Sequence, residues 1–384
     1  MKKIFGSLPF RLALALLAGI SGGLVANAGV MQVVVTVQNL LSAVIMFTIP
    51  LIIIGFIAPS ITQLGSNASR LLGIALLLAY LSSVGAALFS VVSGYAILPH
   101  LNIVSDASAG RALPEVIFDL RIPPVMPVMS ALAFSVCIGI AATWRRAGKI
   151  IAALDEFQGM VILLVTRIII PVLPFFIACT FCSLAYGGLI TRQLPVFLAV
   201  ILIVIAGHCV WMTFLYLLAA LYSGKNPFRV LRHYGPAYLT AVGTMSSAAT
   251  LPVALECARK SGVLRRDMID FGIPLFANIH LCGSVLTETF FVMTVSLTLY
   301  GSLPPLSSLI LFSVLLGVFA IGAPGVPGGT VMASLGLIVS VLGFDAAGTA
   351  LMLTIFALQD SFGTACNVTS DGALTLMISE YSNR

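Results

Sequence analysis

The chain has 384 residues, of which 60% are hydrophobic and only 8% are charged, whereas an average soluble domain carries about 25% charged residues. This composition leaves too little polar surface to cover a water-soluble core. It excludes an ordinary soluble enzyme and indicates a protein that uses lipid as its solvent. The formal net charge of +6 is divided among short basic clusters between apolar stretches. Such clusters orient membrane helices, so we expect the lipid bilayer as a partner and no nucleic acid.

The apolar stretches predict a helical bundle. Only helices and closed barrels satisfy their own backbone inside a bilayer, and barrel strands alternate apolar and polar residues, whereas Val196–Ala206 is apolar on every side. A helix needs about 20 apolar residues to cross the hydrocarbon core. Stretches of that length predict spans near 8–28, 36–58, 70–94, 122–144, 155–185 and 193–222.

Charge predicts the orientation of these spans. Most of the nineteen Lys and Arg residues fall on one side of the membrane if the N-terminus is inside, which predicts cytoplasmic N- and C-termini. The first stretch also resembles a cleavable signal peptide, with Lys2 and Lys3 before the apolar run and Ala26-Asn27-Ala28 after it. Because further spans follow, we expect a retained first helix.

The last third of the chain is apolar but repeatedly interrupted. The segments 228–258, 268–299, 305–343 and 346–380 contain Gly, Pro, Asn and charged residues, and the interruptions at Met245–Pro252 and Gly322–Thr330 lie in mid-segment. Pro and small residues there break a helix or turn a hairpin. Non-helical backbone at membrane depth must be buried in protein or line a cavity. We therefore predict two re-entrant hairpins around a binding site, with ordinary kinked spans as the alternative.

Charged residues at membrane depth are costly and usually functional. The predicted spans contain Arg167, Glu288 and a polar set of four residues with spacings of 4, 3 and 4, which share one helix face: Asp360, Thr364, Asn367 and Asp371. Such a face can hold an ammonium group and a cation, or cap a broken helix. The pair Cys179-x-x-Cys182 has metal spacing but no His or Asp nearby, so we expect core packing there.

Three segments resemble signature segments of the dicarboxylate/amino acid:cation symporter family: Ser246-Ser-Ala-Ala-Thr-Leu-Pro252, Gly325-Val-Pro-Gly-Gly329 and Asp360-Ser-Phe-Gly-Thr-Ala-Cys-Asn-Val-Thr-Ser-Asp371. That family contains the glutamate transporters and the bacterial serine/threonine symporters. Asn226-Pro-Phe and Leu358-Gln-Asp-Ser361 are most similar to the serine/threonine branch. The order of the segments matches the family across nearly the whole chain.

The resemblance implies an all-α integral membrane protein, with eight transmembrane helices and two re-entrant hairpins in glutamate-transporter-like inverted repeats. It implies a secondary transporter rather than an enzyme, in the plasma membrane (the bacterial inner membrane) and assembled as a homotrimer. The single transporter domain, 1–384, would divide into a static scaffold, about 1–60 and 117–190, and a transport subdomain, about 65–95 and 192–380. The transport subdomain would move like an elevator.

The resemblance also assigns substrate-binding roles. The residue matching Asp360 binds the substrate amino group, and Asn367 with Ser246 and Ser247 binds the α-carboxylate. Amides near Val326 and Gly329 close over the substrate, and Thr364 shares the polar face. Members that carry acidic substrates have an arginine where this chain has Gly363. A buried side-chain carboxylate would lack its partner here, so we expect a neutral amino acid of the serine/threonine class.

The expected coupling ion is sodium, and no other cofactor is expected. One family site uses the carboxylate matching Asp371 with carbonyls of Phe276, His280 and Asn367, and a second uses carbonyls around Asn278, Ala320, Ile321 and Ala323. A third needs an aspartate where this chain has Cys282, next to Ser82 and Ser83, and His280 stands where the family usually has Asn. We therefore expect fewer sodium ions than in the glutamate transporters.

Glu288 matches a position at which eukaryotic glutamate transporters carry a proton-binding glutamate, so H⁺ is a possible second coupling ion. A structural, hydrogen-bonded Glu288 is the other interpretation. The alternative function is a sodium- or proton-coupled carrier of acidic amino acids or dicarboxylates. An intramembrane enzyme is disfavoured because no Ser/His or His-Glu-x-x-His pairing has helical spacing. A channel would show flux that does not saturate.

Overall fold

The computed structural model describes residues 8–66, 70–101, 103, 112–120, 122–188, 190–323, 325 and 327–382, and the regular structure in these residues is entirely helical. A chain that lives in lipid satisfies its backbone in this way. The helices of the first two thirds are α1 (Leu8–Val25), α2 (Ala28–Ser66), α3 (Arg70–Ile97), α4 (Val128–Arg145), α5 (Gly148–Leu164), α6 (Ile170–Tyr186) and α7 (Ile190–Ser223).

The remaining helices follow in the interrupted part of the chain, and the last of them is the longest. They are α8 (Phe228–Leu231), α9 (Gly235–Thr244), α10 (Ser247–Lys260), α11 (Arg266–Ile279), α12 (Cys282–Tyr300), α13 (Leu306–Gly322), α14 (Gly329–Leu342) and α15 (Ala346–Tyr381). The all-helical prediction is thus confirmed within the described residues.

Within the described part of the chain, five helical stretches are long and apolar enough to cross a membrane: Ala28–Gln63, Arg70–His100, Gly148–Tyr186, Val196–Ser223 and Arg266–Tyr300. The predicted spans at α1 and α4 are apolar helices of 18 residues each. The last helix, α15, has 36 residues but carries the polar face of Asp360 to Asp371. Length and apolar composition establish a multi-pass membrane protein.

Three predicted spans need correction. The second, predicted at 36–58, extends from Ala28 to Ser66. The fourth helix begins at Val128 rather than near 122, because Pro123, Pro124 and Pro127 precede it and the residue before a proline avoids the helical conformation. The fifth span begins at Gly148 and continues to Tyr186 through a π turn at Val165–Ile169. Arg167 lies in that turn with its side chain exposed on the chain surface.

Both predicted hairpins are present as helix pairs. The first joins α9 to α10 at Met245 and Ser246, where Met245 has φ of 54°. This break is shorter than predicted, since Pro252 lies inside α10. The second joins α13 to α14 across residues 323–328, as predicted. The seventh span is also broken, at His280 and Leu281 between α11 and α12.

The packing places the interrupted segments in the interior. Helix α1 packs on α6, and α2 packs on α4, α5 and α6. Helix α12 lies between α3 and α15, and α15 also contacts α7, α9 and α11. In the most apolar window of the α11–α12 segment 94% of the residues are buried, against 28% in α7. The α11–α12 segment therefore lies largely inside the protein.

Helices α1 and α6 approach closely because of two glycines. A Cβ atom at Gly19 or Gly23 would collide with the backbone carbonyl oxygen of Ala178 or Cys182, respectively. Small residues four apart allow this kind of contact between membrane helices. Gly22 lies beside the contact, where a Cβ atom would be 3.8 Å from the Cys182 sulfur.

We predict that Gly23→Ala destabilises the protein by about 1–3 kcal/mol, because the added methyl forces α1 away from α6. Gly22→Ala is the matched control and should leave the midpoint of thermal unfolding in detergent near that of the wild type. Equal midpoints for the two variants would contradict the close α1–α6 contact.

Candidate functional site

A narrow cavity lies where the two hairpin tips, the start of α12 and the middle of α15 meet. Its free space is about 10 Å³, no more than a single water molecule needs. Nine of the described residues, from these four elements, line it: Met245, Ser247, Leu281, Ser284, Gly325, Thr330, Asp360, Thr364 and Asn367. This space is smaller than an amino acid.

The polar face of α15 is formed as its spacing predicts. Asp360, Thr364, Asn367 and Asp371 are all buried on this continuous helix. The first three line the cavity, whereas Asp371 does not. The face therefore divides into a part at the cavity and a separate part around Asp371.

Asp360 holds the tip of the second hairpin. Its Oδ2 atom accepts a hydrogen bond of 2.6 Å from the backbone N–H of Gly328. Gly328 precedes α14 with φ of 71°, a conformation that glycine adopts readily. The carboxylate thereby satisfies a backbone donor that the start of the helix leaves free.

Ser246 joins the two hairpin tips. Its hydroxyl oxygen accepts a hydrogen bond of 3.2 Å from the N–H of Ala249, which caps α10. The same hydroxyl donates a hydrogen bond of 2.5 Å to the carbonyl oxygen of Gly325 in the second hairpin. The neighbouring Ser247 lines the cavity. Ser246 therefore connects the turn of the first hairpin with the tip of the second.

Asn367 caps the start of α12. Its Oδ1 atom accepts hydrogen bonds from the N–H groups of Gly283 (2.7 Å) and Ser284 (3.2 Å). Its Nδ2 atom donates to the hydroxyl of Ser284 at 2.9 Å. An amide nitrogen has two hydrogens, so one further donor is available beside the cavity.

The electrostatics of the cavity suit a zwitterion. Residues from the first turns of α10, α12 and α14 line it, and a helix start carries a partial positive charge with free N–H groups. Asp360 supplies one carboxylate. Among the described lining residues there is no Lys or Arg. One carboxylate opposite several helix starts complements an ammonium group and a carboxylate, with no partner for a second carboxylate.

Other predicted substrate residues lie around the cavity rather than in its lining. Gly329 is buried at the start of α14, next to the lining residue Thr330. A Cβ atom at Gly363 would lie 3.3 Å from the Ser284 hydroxyl, so Gly363 packs against the start of α12. Val326 lies outside the described residues.

Four lining residues are not among the substrate-binding residues predicted from the sequence: Met245, Leu281, Ser284 and Thr330. Each of them lies within three residues of a helix break. The positions of Met245 and Thr330 could have been inferred from the predicted hairpin breaks. The break at Leu281 has no comparable run of Gly and Pro.

Two helix ends form the candidate carbonyl site for a cation. Asn278 lies in the last turn of α11, Ala320 and Ile321 lie in the last turn of α13, and Ala323 follows α13. A Cβ atom at Gly325 would be 3.5 Å from the carbonyl oxygen of Ala277, so the hairpin tip adjoins the end of α11. Terminal carbonyl groups of helices lack intrahelical partners and carry partial negative charge, which suits a small cation.

The surroundings of Asp371 differ from the expected sodium site. Its Oδ1 atom lies 2.9 Å from Nδ1 of His280, and Nε2 of His280 lies 2.9 Å from the Ser82 hydroxyl. The carbonyl oxygen of Phe276 accepts a hydrogen bond of 2.9 Å from the His280 N–H. An imidazole therefore contacts the carboxylate that was expected to bind the ion.

Glu288 lies deep in α12, away from the cavity lining. It accepts a hydrogen bond from the hydroxyl of Ser334 in α14. Its Oε2 atom has no hydrogen-bond partner among the described residues. The residue thus connects the second hairpin with α12, and its proton-coupling role stays a prediction.

Comparison with known proteins identifies the family. The sequence pattern of the sodium:dicarboxylate symporter family matches residues 8–381. The chain belongs to this family. Similar proteins include excitatory amino acid transporter 2 from Mus musculus and from Homo sapiens, each 26% identical over 253 residues, which are 64% of this chain and 43% of the relative. Excitatory amino acid transporter 3 from Mus musculus is 29% identical over 195 residues, 51% of this chain and 36% of the relative.

The family assignment confirms the resemblance drawn from the three signature segments. The members are secondary transporters and not enzymes, with small-molecule substrates and a membrane location. The matches to the excitatory amino acid transporters cover less than half of each relative's length. The similarity to the serine/threonine branch and the identity of the substrate stay predictions.

The capping contact of Asn367 predicts a stability effect. Asn367→Ala leaves two buried N–H groups at the start of α12 unsatisfied, at about 1–3 kcal/mol each, so the midpoint of thermal unfolding without substrate should fall. Asn367→Asp keeps the accepting oxygen and should retain most of the stability. A wild-type midpoint for Asn367→Ala would show that its amide does not cap α12.

Proposed function

We propose that the protein is a cation-coupled symporter that imports a neutral amino acid, with the serine/threonine class favoured. The observation that carries this proposal is the charge pattern of the cavity: one carboxylate, Asp360, opposite the starts of three helices, with no Lys or Arg among the described lining residues. A zwitterion satisfies both parts of this pattern.

Each group has a role in binding. The substrate ammonium replaces the Gly328 N–H as the partner of Asp360. The α-carboxylate takes the free amide hydrogen of Asn367 and the backbone N–H groups near Ser246 and Ser247. The hydroxyl groups of Ser284, Thr330 and Thr364, which line the cavity, offer partners to a substrate hydroxyl. This polar lining favours serine or threonine over a larger apolar side chain.

An acidic substrate is disfavoured by the same lining. A buried carboxylate without a partner costs several kcal/mol, and Gly363 provides no charge where acidic-substrate members have arginine. Phe356, seven residues earlier on α15, is fully buried and cannot supply the counter-charge that such an arginine needs. The second candidate is a carrier of acidic amino acids or dicarboxylates, which is favoured by the description of the family as sodium:dicarboxylate symporters.

Coupling and assembly are part of the proposal. Sodium is the proposed coupling ion, held by backbone carbonyl groups of Asn278, Ala320, Ile321 and Ala323 at the ends of α11 and α13. A scaffold of α1, α2 and α4–α6 would stay fixed while α3 and α7–α15 carry the substrate across the bilayer. The homotrimer, the bacterial inner membrane and the cytoplasmic termini are supported by the family resemblance and by the distribution of Lys and Arg.

The proposal is tested by exchange of labelled serine in proteoliposomes, with Asp360→Asn as the decisive variant. We expect saturable, sodium-dependent exchange that small neutral amino acids inhibit and aspartate and glutamate do not. Asp360→Asn should abolish serine binding because the ammonium group loses its charged partner. The control is Asp345→Asn, at the exposed N-cap of the same helix, where Asn caps equally well.

Strong inhibition by aspartate or glutamate would establish the acidic-substrate alternative. Unchanged serine affinity in Asp360→Asn would refute the role of this carboxylate. Flux that rises linearly with concentration would indicate a channel.

A further inference from the structure

The imidazole of His280 connects three helices at the break of the seventh span. It lies between α11 and α12, with Ser82 of α3 on one nitrogen and Asp371 of α15 on the other, each at 2.9 Å. The side chains of His280 and Asp371 are 0% and 2% exposed. Both ring nitrogens are therefore in use, and the buried carboxylate already has a partner.

The His280 ring contacts side-chain oxygens that belong to two of the expected sodium sites. Asp371 is the only charged ligand of the first site, and Ser82 is one of the hydroxyls that remain around the third. A hard cation needs several oxygen ligands around one point. Here one carboxylate oxygen and the hydroxyl face nitrogen atoms of the imidazole instead.

The third site also lacks its charged ligand. Cys282 stands where the third site needs an aspartate, and a thiol is a soft ligand that suits softer metals. These residues therefore do not fit sodium in the way that the family resemblance implies.

We propose that the His280 side chain takes the place of sodium at Asp371, as a built-in partner that holds α3, α11 and α15 together. A buried carboxylate must be paired or hydrogen-bonded, and the imidazole meets this need with a group that belongs to the protein. Sodium binding is then confined to the carbonyl groups at the ends of α11 and α13. The inference deepens the proposed function, on which it rests for the coupling role of sodium.

An asparagine at position 280 is shorter and would not fill the space between Ser82 and Asp371. His280→Asn should therefore expose the Asp371 carboxylate to an ion and create the site that the wild type lacks. A merely structural histidine predicts only lower stability in this variant, without a new response to sodium.

The test measures binding of radioactive sodium to the purified protein in detergent without substrate. In the wild type, Asp371→Asn should leave the sodium affinity unchanged, and the amide still offers His280 an acceptor oxygen. In His280→Asn the number of sodium ions bound per chain should rise by one, because the freed carboxylate provides an oxygen ligand for a second site. The double variant His280→Asn/Asp371→Asn should lose this gain, and the control His100→Asn, at an exposed histidine, should behave as the wild type.

Weaker sodium binding in Asp371→Asn alone would overturn the proposal, as would an unchanged number of bound sodium ions in His280→Asn. If the His280 variants do not fold, the number of sodium ions bound by the wild type still tests the proposal. A single bound sodium supports it. Additional sodium ions that are lost in Asp371→Asn refute it. The assay contains no amino acid. Failure of serine exchange would therefore refute the proposed function and leave this result standing.

Discussion

Backbone groups that are freed at helix breaks must find partners within the protein, because the bilayer offers none. The polar residues of this chain meet that requirement at the cavity. Asn367 takes the N–H groups at the start of α12, Asp360 takes the N–H of Gly328, and Ser246 caps α10 and binds the opposite hairpin tip. The groups that connect the elements around the cavity are thus the groups that are proposed to hold the substrate.

Because the same groups hold the hairpin tips together and are proposed to bind the substrate, substrate binding and closure of the tips are connected in the proposed cycle. The cavity has about 10 Å³ of free space. In the proposed cycle, the Asp360–Gly328 and Ser246–Gly325 contacts open before a substrate enters. The ammonium group of the substrate then becomes the partner of Asp360, and the hairpin tips close again over the filled site.

Much of the fold follows from the sequence, because hydrophobic length and helix-breaking residues have direct physical consequences. The spans, the two hairpins and the polar face of α15 were predicted, and the family is confirmed. Helix α4 begins only at Val128 because three prolines precede it, and hydropathy alone does not take account of prolines. The contacts between side chains of different helices were harder to predict. Gly363 packs on Ser284, and His280 contacts both Ser82 and Asp371. These contacts depend on how separate helices pack. No local pattern encodes that packing.

The most direct test of the account is hydrogen–deuterium exchange at the tip of the second hairpin, over backbone amides 329–332. We predict that serine with sodium slows exchange of these amides, because the filled cavity holds the tip closed, while glutamate with sodium has no effect. Exchange that is insensitive to serine, or that glutamate slows equally, would contradict the claim that this cavity binds a neutral amino acid under the hairpin.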